Sequence, residues 1–259
     1  MSVRLVLAAL LALAGAAARA EDPFPGTAAA YLVVVDGAAR WEHRADAPRA
    51  PASLAKLMGA LVVVRDGNLD ADVTVPAAAA RARGARLGLK AGERAPAQAL
   101  LAAMLVGSAN DACLALALRA GNAARFIARM NEGARALGLQ ATRFADPCGF
   151  DARGQQSTAR ELAQLAEAFL ADARLAALVR QREAEVRTAG GRVLTIKSTN
   201  PLLEHFSGAL GVKTGHTRQA GYNLIALAER GGHQVLLVML GAHDRWWDAH
   251  GILERALAR

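Results

Sequence analysis

Ser53 and Lys56 stand three residues apart in Ala50-Pro51-Ala52-Ser53-Leu54-Ala55-Lys56-Leu57-Met58-Gly59-Ala60-Leu61. Pro51 suits the start of a helix, and Leu54, Leu57, Met58 and Leu61 keep helical spacing. The stretch therefore predicts a loop that turns into a buried helix at Ser53. Three-residue spacing places hydroxyl and amine on one helical face, within contact range. A serine becomes a nucleophile when a base lies beside it, and a lysine can be that base once burial lowers its pKa. The first helical turn adds unpaired backbone N–H groups where negative charge could develop. The same residues also fit a capping serine followed by a solvated lysine, and Ser-x-x-Lys arises about once by chance in a chain of this length.

Composition sharpens the first reading. Of 31 basic residues, only Lys56, Lys90, Lys197 and Lys213 are lysines; the other 27 are arginines. Arginine does not give up its proton in a protein, whereas a desolvated lysine does. Two other short motifs offer chemistry. Ser108-Ala109-Asn110 presents a hydroxyl and an amide at a helix–helix corner, a place that Ser and Asn favour for ordinary turn reasons as well. Lys213-Thr214-Gly215, followed by His216-Thr217, puts a cation, a hydroxyl and a glycine at the end of a strand. That combination suits an extended peptide laid along a sheet edge, with the glycine leaving room for close backbone approach; a plain strand end is the alternative.

The elements that must position these groups are strands at both chain ends and helices between. Tyr31–Asp36 reads as a buried strand with Arg40–Arg44 as its hairpin partner. After the Ser53 helix comes an irregular stretch with a short strand near Val73-Thr74-Val75. Helices follow from Pro96 to Leu105, Asp111 to Ala120 and Ala123 to Leu137, with another opened by the capping-box-like Ser157-Thr158-Ala159-Arg160-Glu161. The last third returns to strands at Arg192–Ile196, Gly208–Lys213, Gly221–Glu229 and His233–Leu240, and closes with a helix from Arg245 to Ala258. The order implies an α+β fold: an antiparallel sheet built from both chain ends, flanked by helices, with an inserted all-helical lobe. The sheet lobe is expected over about 21–66 and 186–259 and the helical lobe over about 67–185, with the binding cleft between them.

Met1–Ala20 reads as a secretory signal, with Arg4 as its charged start, an apolar run from Leu5 to Ala18 and an Ala18-Arg19-Ala20 cleavage site; an uncleaved anchor is the alternative. The formal charge of +8 comes from scattered residues without a basic–aromatic run, so no nucleic-acid partner is expected. No histidine spacing matches a zinc site, and no catalytic metal or cofactor is expected. Cys113 sits among Leu114, Leu116 and Leu118, and a buried free thiol is expected there, with no obligatory disulfide to Cys148.

Ser-x-x-Lys, Ser-x-Asn and Lys-Thr-Gly, in that order on helix, corner and strand, form the signature of serine penicillin-recognising enzymes. The chain resembles the low-molecular-mass penicillin-binding proteins, the serine D-alanyl-D-alanine carboxypeptidases of the S11 type. Pro51–Met58, Met104–Ala112 and Gly211–Thr217 with Ala220–Asn223 carry the likeness, and Asn131–Gly149 and Ser198–Leu203 add family-like connecting sequence. The resemblance implies a β-lactamase/transpeptidase-like fold and removal of the terminal D-alanine from peptidoglycan stem peptides in the periplasm or cell envelope, with covalent inhibition by β-lactams. It implies Ser53 as nucleophile, Lys56 as its base and Ser108 as proton relay. Asn110, Lys213, Thr214, Gly215 and His216 would bind substrate, with the backbone N–H groups of Ser53 and His216 as the oxyanion hole. A DD-endopeptidase and a non-catalytic peptidoglycan-binding module are the alternatives. There is no Glu-x-x-Leu-Asn segment between Asn110 and Lys213 to supply the deacylating glutamate of class A β-lactamases. Three features depart from the family pattern. Cys148 stands where relatives often have His. Arg245 is a candidate for the carboxylate-binding arginine of some relatives, or else a solvent-facing residue. The β-rich C-terminal domain and amphipathic tail of longer members are not seen after the closing helix, so no stable membrane anchor is expected.

Overall fold

The computed structural model describes residues 22–258, so the expected secretory signal at 1–20 lies outside the described residues. Five strands form one antiparallel sheet: β1 (Ala28–Val35), β2 (Ala38–His43), β7 (Ala209–Thr217), β8 (Gly221–Arg230) and β9 (His233–Ala242), in the order β2-β1-β9-β8-β7. The first and last strands among the described residues are therefore neighbours, with Leu32 opposite Val238.

Both faces of the sheet are covered, which is why β1 and β9 read as unbroken apolar runs. Side chains alternate between two cores. Tyr31, Val33, Val35, Leu237 and Met239 pack with Ala249, Ile252 and Leu253 of the closing helix α9 (Arg245–Leu257). Leu32, Val34, Leu236, Val238 and Leu240 face the opposite way and join the larger core of the helical side. There α6 (Ala159–Leu170) lies against β1 and β9, and α1 (Lys56–Asp66) packs behind it. Around α1 gather α3 (Ala97–Val106), α4 (Asn110–Arg119) and α5 (Ala123–Ala136). Thr158 caps α6 by accepting from Glu161 N–H, but the Glu161 carboxylate accepts from Ala141 N–H and Thr142 Oγ1, so only half of a capping box forms.

The remaining elements are short: β3 (Asp72–Thr74), paired with β4 (Arg94–Pro96), α2 (Ala77–Ala80), α7 (Ala173–Val179), β5 (Glu183–Arg187), paired with β6 (Val193–Lys197), and α8 (Leu202–His205). The β5–β6 hairpin stays separate from the five-stranded sheet and leans on α3, burying Ala184 and covering Ala102 and Val106. Gly107 ends α3 where a Cβ would stand 2.3 Å from the Ile196 side chain, so a larger residue at this corner would have to displace that side chain.

Two expectations are corrected. Helix α1 begins at Lys56; Ser53 lies before it in a 3₁₀ turn, Ala52–Ala55, set up by Ala52 at φ 49° and by Leu54 N–H donating to Pro51 O. Cys113 is not a free thiol. It forms a disulfide with Cys148, with Cα atoms 5.9 Å apart. Both sulfurs are buried, so the apolar surroundings of Cys113 were compatible with pairing all along; the loop before Gly149 folds back onto α4 and brings Cys148 to it. Closing a loop of 35 residues stabilises the fold by about 4 kcal/mol on the chain-entropy account.

Asp111, in the first turn of α4, is buried and holds the preceding loop. Its carboxylate accepts from the N–H groups of Leu87, Gly88 and Leu89 at 2.8–3.0 Å, and from its own neighbour Ala112. Removing it leaves those loop donors without their partner. Asp111→Ala is expected to cost about 2–3 kcal/mol, read as a lower urea midpoint with an unchanged slope; an unmoved midpoint would show that the loop holds itself.

Candidate active site

The 3₁₀ turn, the α3–α4 corner and the outer strand β7 converge on one cleft of about 230 Å³. Ser53, Ser108, Asn110, Thr214, Gly215 and His216 all line it, together with Gly149, Thr199 and Arg245. Lys56 and Lys213 are fully buried beside it.

Lys56 is the most constrained group in the site. Its Nζ lies 2.9 Å from Ser53 Oγ and 2.8 Å from Asn110 Oδ1, and it also donates to the carbonyl oxygen of Cys148. A tetrahedral nitrogen has four directions, and one is the bond to its own side chain. Two protein acceptors that can never donate fix two of the others, leaving one aimed at the Ser53 hydroxyl. If the amine is neutral, that direction holds its lone pair. Burial lowers the Lys56 pKa to about 7, against the opposing pull of the Asp146 carboxylate. Near neutral pH a large fraction of this amine is therefore free to take a proton.

Lys213 donates to Thr214 O at 3.0 Å. Burial holds its pKa well below the ordinary lysine value, with further lowering from Lys56 and Arg245. Thr214 Oγ1 shares a 2.6 Å hydrogen bond with Thr199 Oγ1, so the loop before α8 steadies the strand hydroxyl. Asn110 is fixed at both ends: its Nδ2 donates to Arg83 O and its backbone N–H to Ala85 O. Ser108 adopts a positive φ of 59°, a rare conformation for a non-glycine residue that turns the corner between α3 and α4.

Two glycines make room around the backbone of Ser53. A Cβ on Gly149 would stand 2.1 Å from Ala52 O and 2.8 Å from Ser53 N, and one on Gly215 would stand 3.1 Å from Ser53 N. Asn223, fully buried on β8, donates to Ala50 O and accepts from Gly241 N–H, tying the loop before Ser53 to the sheet. Arg245 is not solvent-facing. It is partly buried over Tyr222 and Trp246, and its Nη1 donates to Gly215 O and Asn223 O.

Sequence reasoning passed over Thr199, Asp111 and Asp146. Asp146 accepts from the N–H groups of Cys148, Gly149 and Phe150 and so shapes the loop beside Ser53. The run Asp146-Pro147-Cys148-Gly149 carried a turn signal that could have marked it.

With this geometry in view, comparison with known proteins is decisive. The family model described as D-alanyl-D-alanine carboxypeptidase matches residues 17–244. The chain belongs to the S11 peptidase family. Within that family it is 34% identical over 213 residues to the Escherichia coli K12 D-alanyl-D-alanine carboxypeptidase DacA, covering 77% of this chain and 52% of the relative. It is 31% identical over 199 residues to DacF of Bacillus subtilis, covering 74% of this chain and 51% of that one. The chain thus spans about half the length of these curated relatives. The structure of the Streptomyces K15 DD-transpeptidase superposes with a TM-score of 0.84 at 31% identity, covering 90% of this chain and 98% of that one. The S11 fold is the expected β-lactamase/transpeptidase-like α+β arrangement.

The packing of Gly149 against the Ser53 turn gives a direct test. Gly149 has φ +93°, and a methyl group there collides with backbone that cannot yield cheaply. Gly149→Ala is expected to cost about 1–3 kcal/mol, read as a lower urea midpoint with an unchanged slope. An unmoved midpoint would mean that the turn has slack.

Proposed function

We propose that the chain is a serine DD-peptidase that acts on D-Ala-D-Ala-terminated peptidoglycan stem peptides through an acyl-enzyme on Ser53. The observation that carries this reading is the Lys56 amine, buried, lowered in pKa to about 7 and 2.9 Å from Ser53 Oγ.

In this reading neutral Lys56 takes the hydroxyl proton as Ser53 Oγ attacks the carbonyl between the two D-alanines. The oxygen of the tetrahedral intermediate sits between the N–H groups of Ser53 and His216. The proton then passes by way of Ser108 to the departing amine, and D-alanine leaves. Asn110 orients the peptide backbone. Thr214, Lys213 and Arg245 present hydroxyl and positive charge to the terminal carboxylate, Lys213 from behind the strand. Water attacks the ester, frees the shortened peptide and restores the Ser53 proton. Export to the periplasm or envelope fits the reading, since the Cys113–Cys148 disulfide suits an oxidising compartment. Among the described residues, no helix is long and apolar enough to cross a membrane.

A second reading concerns the fate of the acyl-enzyme. The Streptomyces K15 protein, which this chain covers almost end to end, is named a DD-transpeptidase. An amine could therefore take the acyl group in place of water, and a cross-linked peptide could be the substrate instead of a free terminus. Incubation with a D-Ala-D-Ala-terminated muropeptide, with and without an acceptor amine, and with a cross-linked dimer separates these outcomes by product mass. Free D-alanine and a shortened peptide are expected from the muropeptide; an intact muropeptide with a cleaved dimer would make the enzyme an endopeptidase.

The base assignment has its own tests. Penicillin labelling should accelerate as pH rises through about 7, because deprotonation of Lys56 makes the reactive form. Lys56→Arg should abolish labelling although it keeps the charge, since guanidinium cannot accept the proton. Lys213→Arg should fall between it and the parent, and Lys90→Arg, at an exposed loop position, should label like the parent. A Lys56→Arg variant that labels at the parent rate would remove Lys56 from the mechanism.

A further inference from the structure

The disulfide lies closer to the chemistry than a staple requires. Cys113 is on α4, three residues and about one turn after Asn110. Cys148 is the residue whose carbonyl oxygen accepts from Lys56 Nζ. Two of the three protein oxygens bonded to the Lys56 amine, Asn110 Oδ1 and Cys148 O, therefore belong to segments joined by one covalent bond. The next residue, Gly149, packs against Ser53 N.

The loop around Cys148 owes its shape to itself. Asp146 Oδ1 accepts from three successive N–H groups, Gln155 Oε1 accepts from those of Ala145 and Asp146, and Gln155 Nε2 donates to Phe150 O. These bonds fix the loop internally and leave its position against the rest of the molecule to other contacts. Those include the Lys56 hydrogen bond, the approach of Pro147 O to Gly59 of α1, the paired Asn131–Phe144 bonds to α5, the Thr217–Asp151 bond to β7, the packing of Gly149 on the Ser53 turn, and the disulfide to α4. Of these, only the disulfide is covalent. Cutting it leaves a loop that keeps its shape and loses its anchorage to α4.

We propose that the Cys113–Cys148 disulfide is a positioning device for acylation, holding the Cys148 carbonyl on Lys56 so that the amine stays sealed and aimed at Ser53. The proposal rests on the reading of Lys56 as the base. Without the cross-link, the carbonyl drifts from Nζ and water reaches the amine. The charged groups that act on Lys56 are Asp146, in the loop itself, and Lys213 on β7. Burial is the largest influence on the amine, so admitting water raises its pKa towards the ordinary lysine value. Retreat of Asp146 would pull the other way, but less strongly.

The test compares the parent with Cys113→Ala/Cys148→Ala, which keeps the residue-148 carbonyl and removes only the link. The readouts are the penicillin-labelling rate per folded molecule, its pH profile and the thermal midpoint. A second variant, Leu253→Ala, opens a cavity on the far face of the sheet, where Leu253 is fully buried in the α9 core. It lowers the midpoint without touching the cleft. The double variant is expected to label about tenfold more slowly or worse, with the rising limb of its pH profile moved to higher pH. Leu253→Ala is expected to keep the parent limb at a similarly reduced midpoint. Three results would overturn the proposal: parent-like rate and limb in the double variant, a rate loss that only follows the folded fraction, or complete failure to fold, which would make the bond a folding staple alone. A parent that does not label at all would instead refute the proposed function, so the two failures are distinguishable.

Discussion

Everything at the cleft follows from keeping one amine out of water. A lysine side chain resists burial because its charged form loses hydration, and the molecule resolves this by letting Lys56 titrate near neutrality and by giving its nitrogen oxygens to bond. Those oxygens come from three separate parts of the chain: Ser53 in the 3₁₀ turn, Asn110 at the start of α4 and Cys148 in the loop after α5. None of these segments can shift independently without leaving the nitrogen short of a partner. The close contacts at Gly149 and Gly215, the Thr199–Thr214 bond and the anchoring of Ala50 by Asn223 are secondary to that requirement, because each fixes one wall around the same small volume.

Lys213, buried on β7, carries the same constraint. Lys56 discourages Lys213 from being charged, and Arg245 adds to the pressure on it. The cleft thus concentrates groups that would rather not all be cationic together. An anion placed there would relieve that repulsion.

What could be read from the residue order depended on whether a role was local. Ser53 and Lys56 share one turn, and lysine is so rare in this chain that its survival at Lys56 and Lys213 carried information. The buried strands announced themselves because both faces of the sheet are covered, which leaves long apolar runs in β1 and β9. The hairpin strand β5 was harder, since three of its five residues are charged and only Ala184 and Val186 point inward. Asp111, Asp146 and Thr199 matter through partners that three-dimensional folding brings to them, and no spacing rule in the chain marks those partners. The cysteines failed for a related reason: an apolar neighbourhood describes where a sulfur sits and is silent about what else arrives there. Lys90, by contrast, lies in a polar, glycine-containing stretch and is exposed.

The neighbouring of β1 and β9 also governs the order in which the molecule can come together. Contacts among α3, α4 and α5 close over short stretches of chain, whereas β1 meets β9 only after some two hundred intervening residues have been made. The loop before Ser53 is held by Asn223, and the cleft wall at Gly215 belongs to β7, so both wait on the final third of the chain. The helical side can gather early, but Ser53 has no finished surroundings until the sheet shuts. A partly synthesised chain carries Ser53 and Lys56 together and still lacks the cleft beside them.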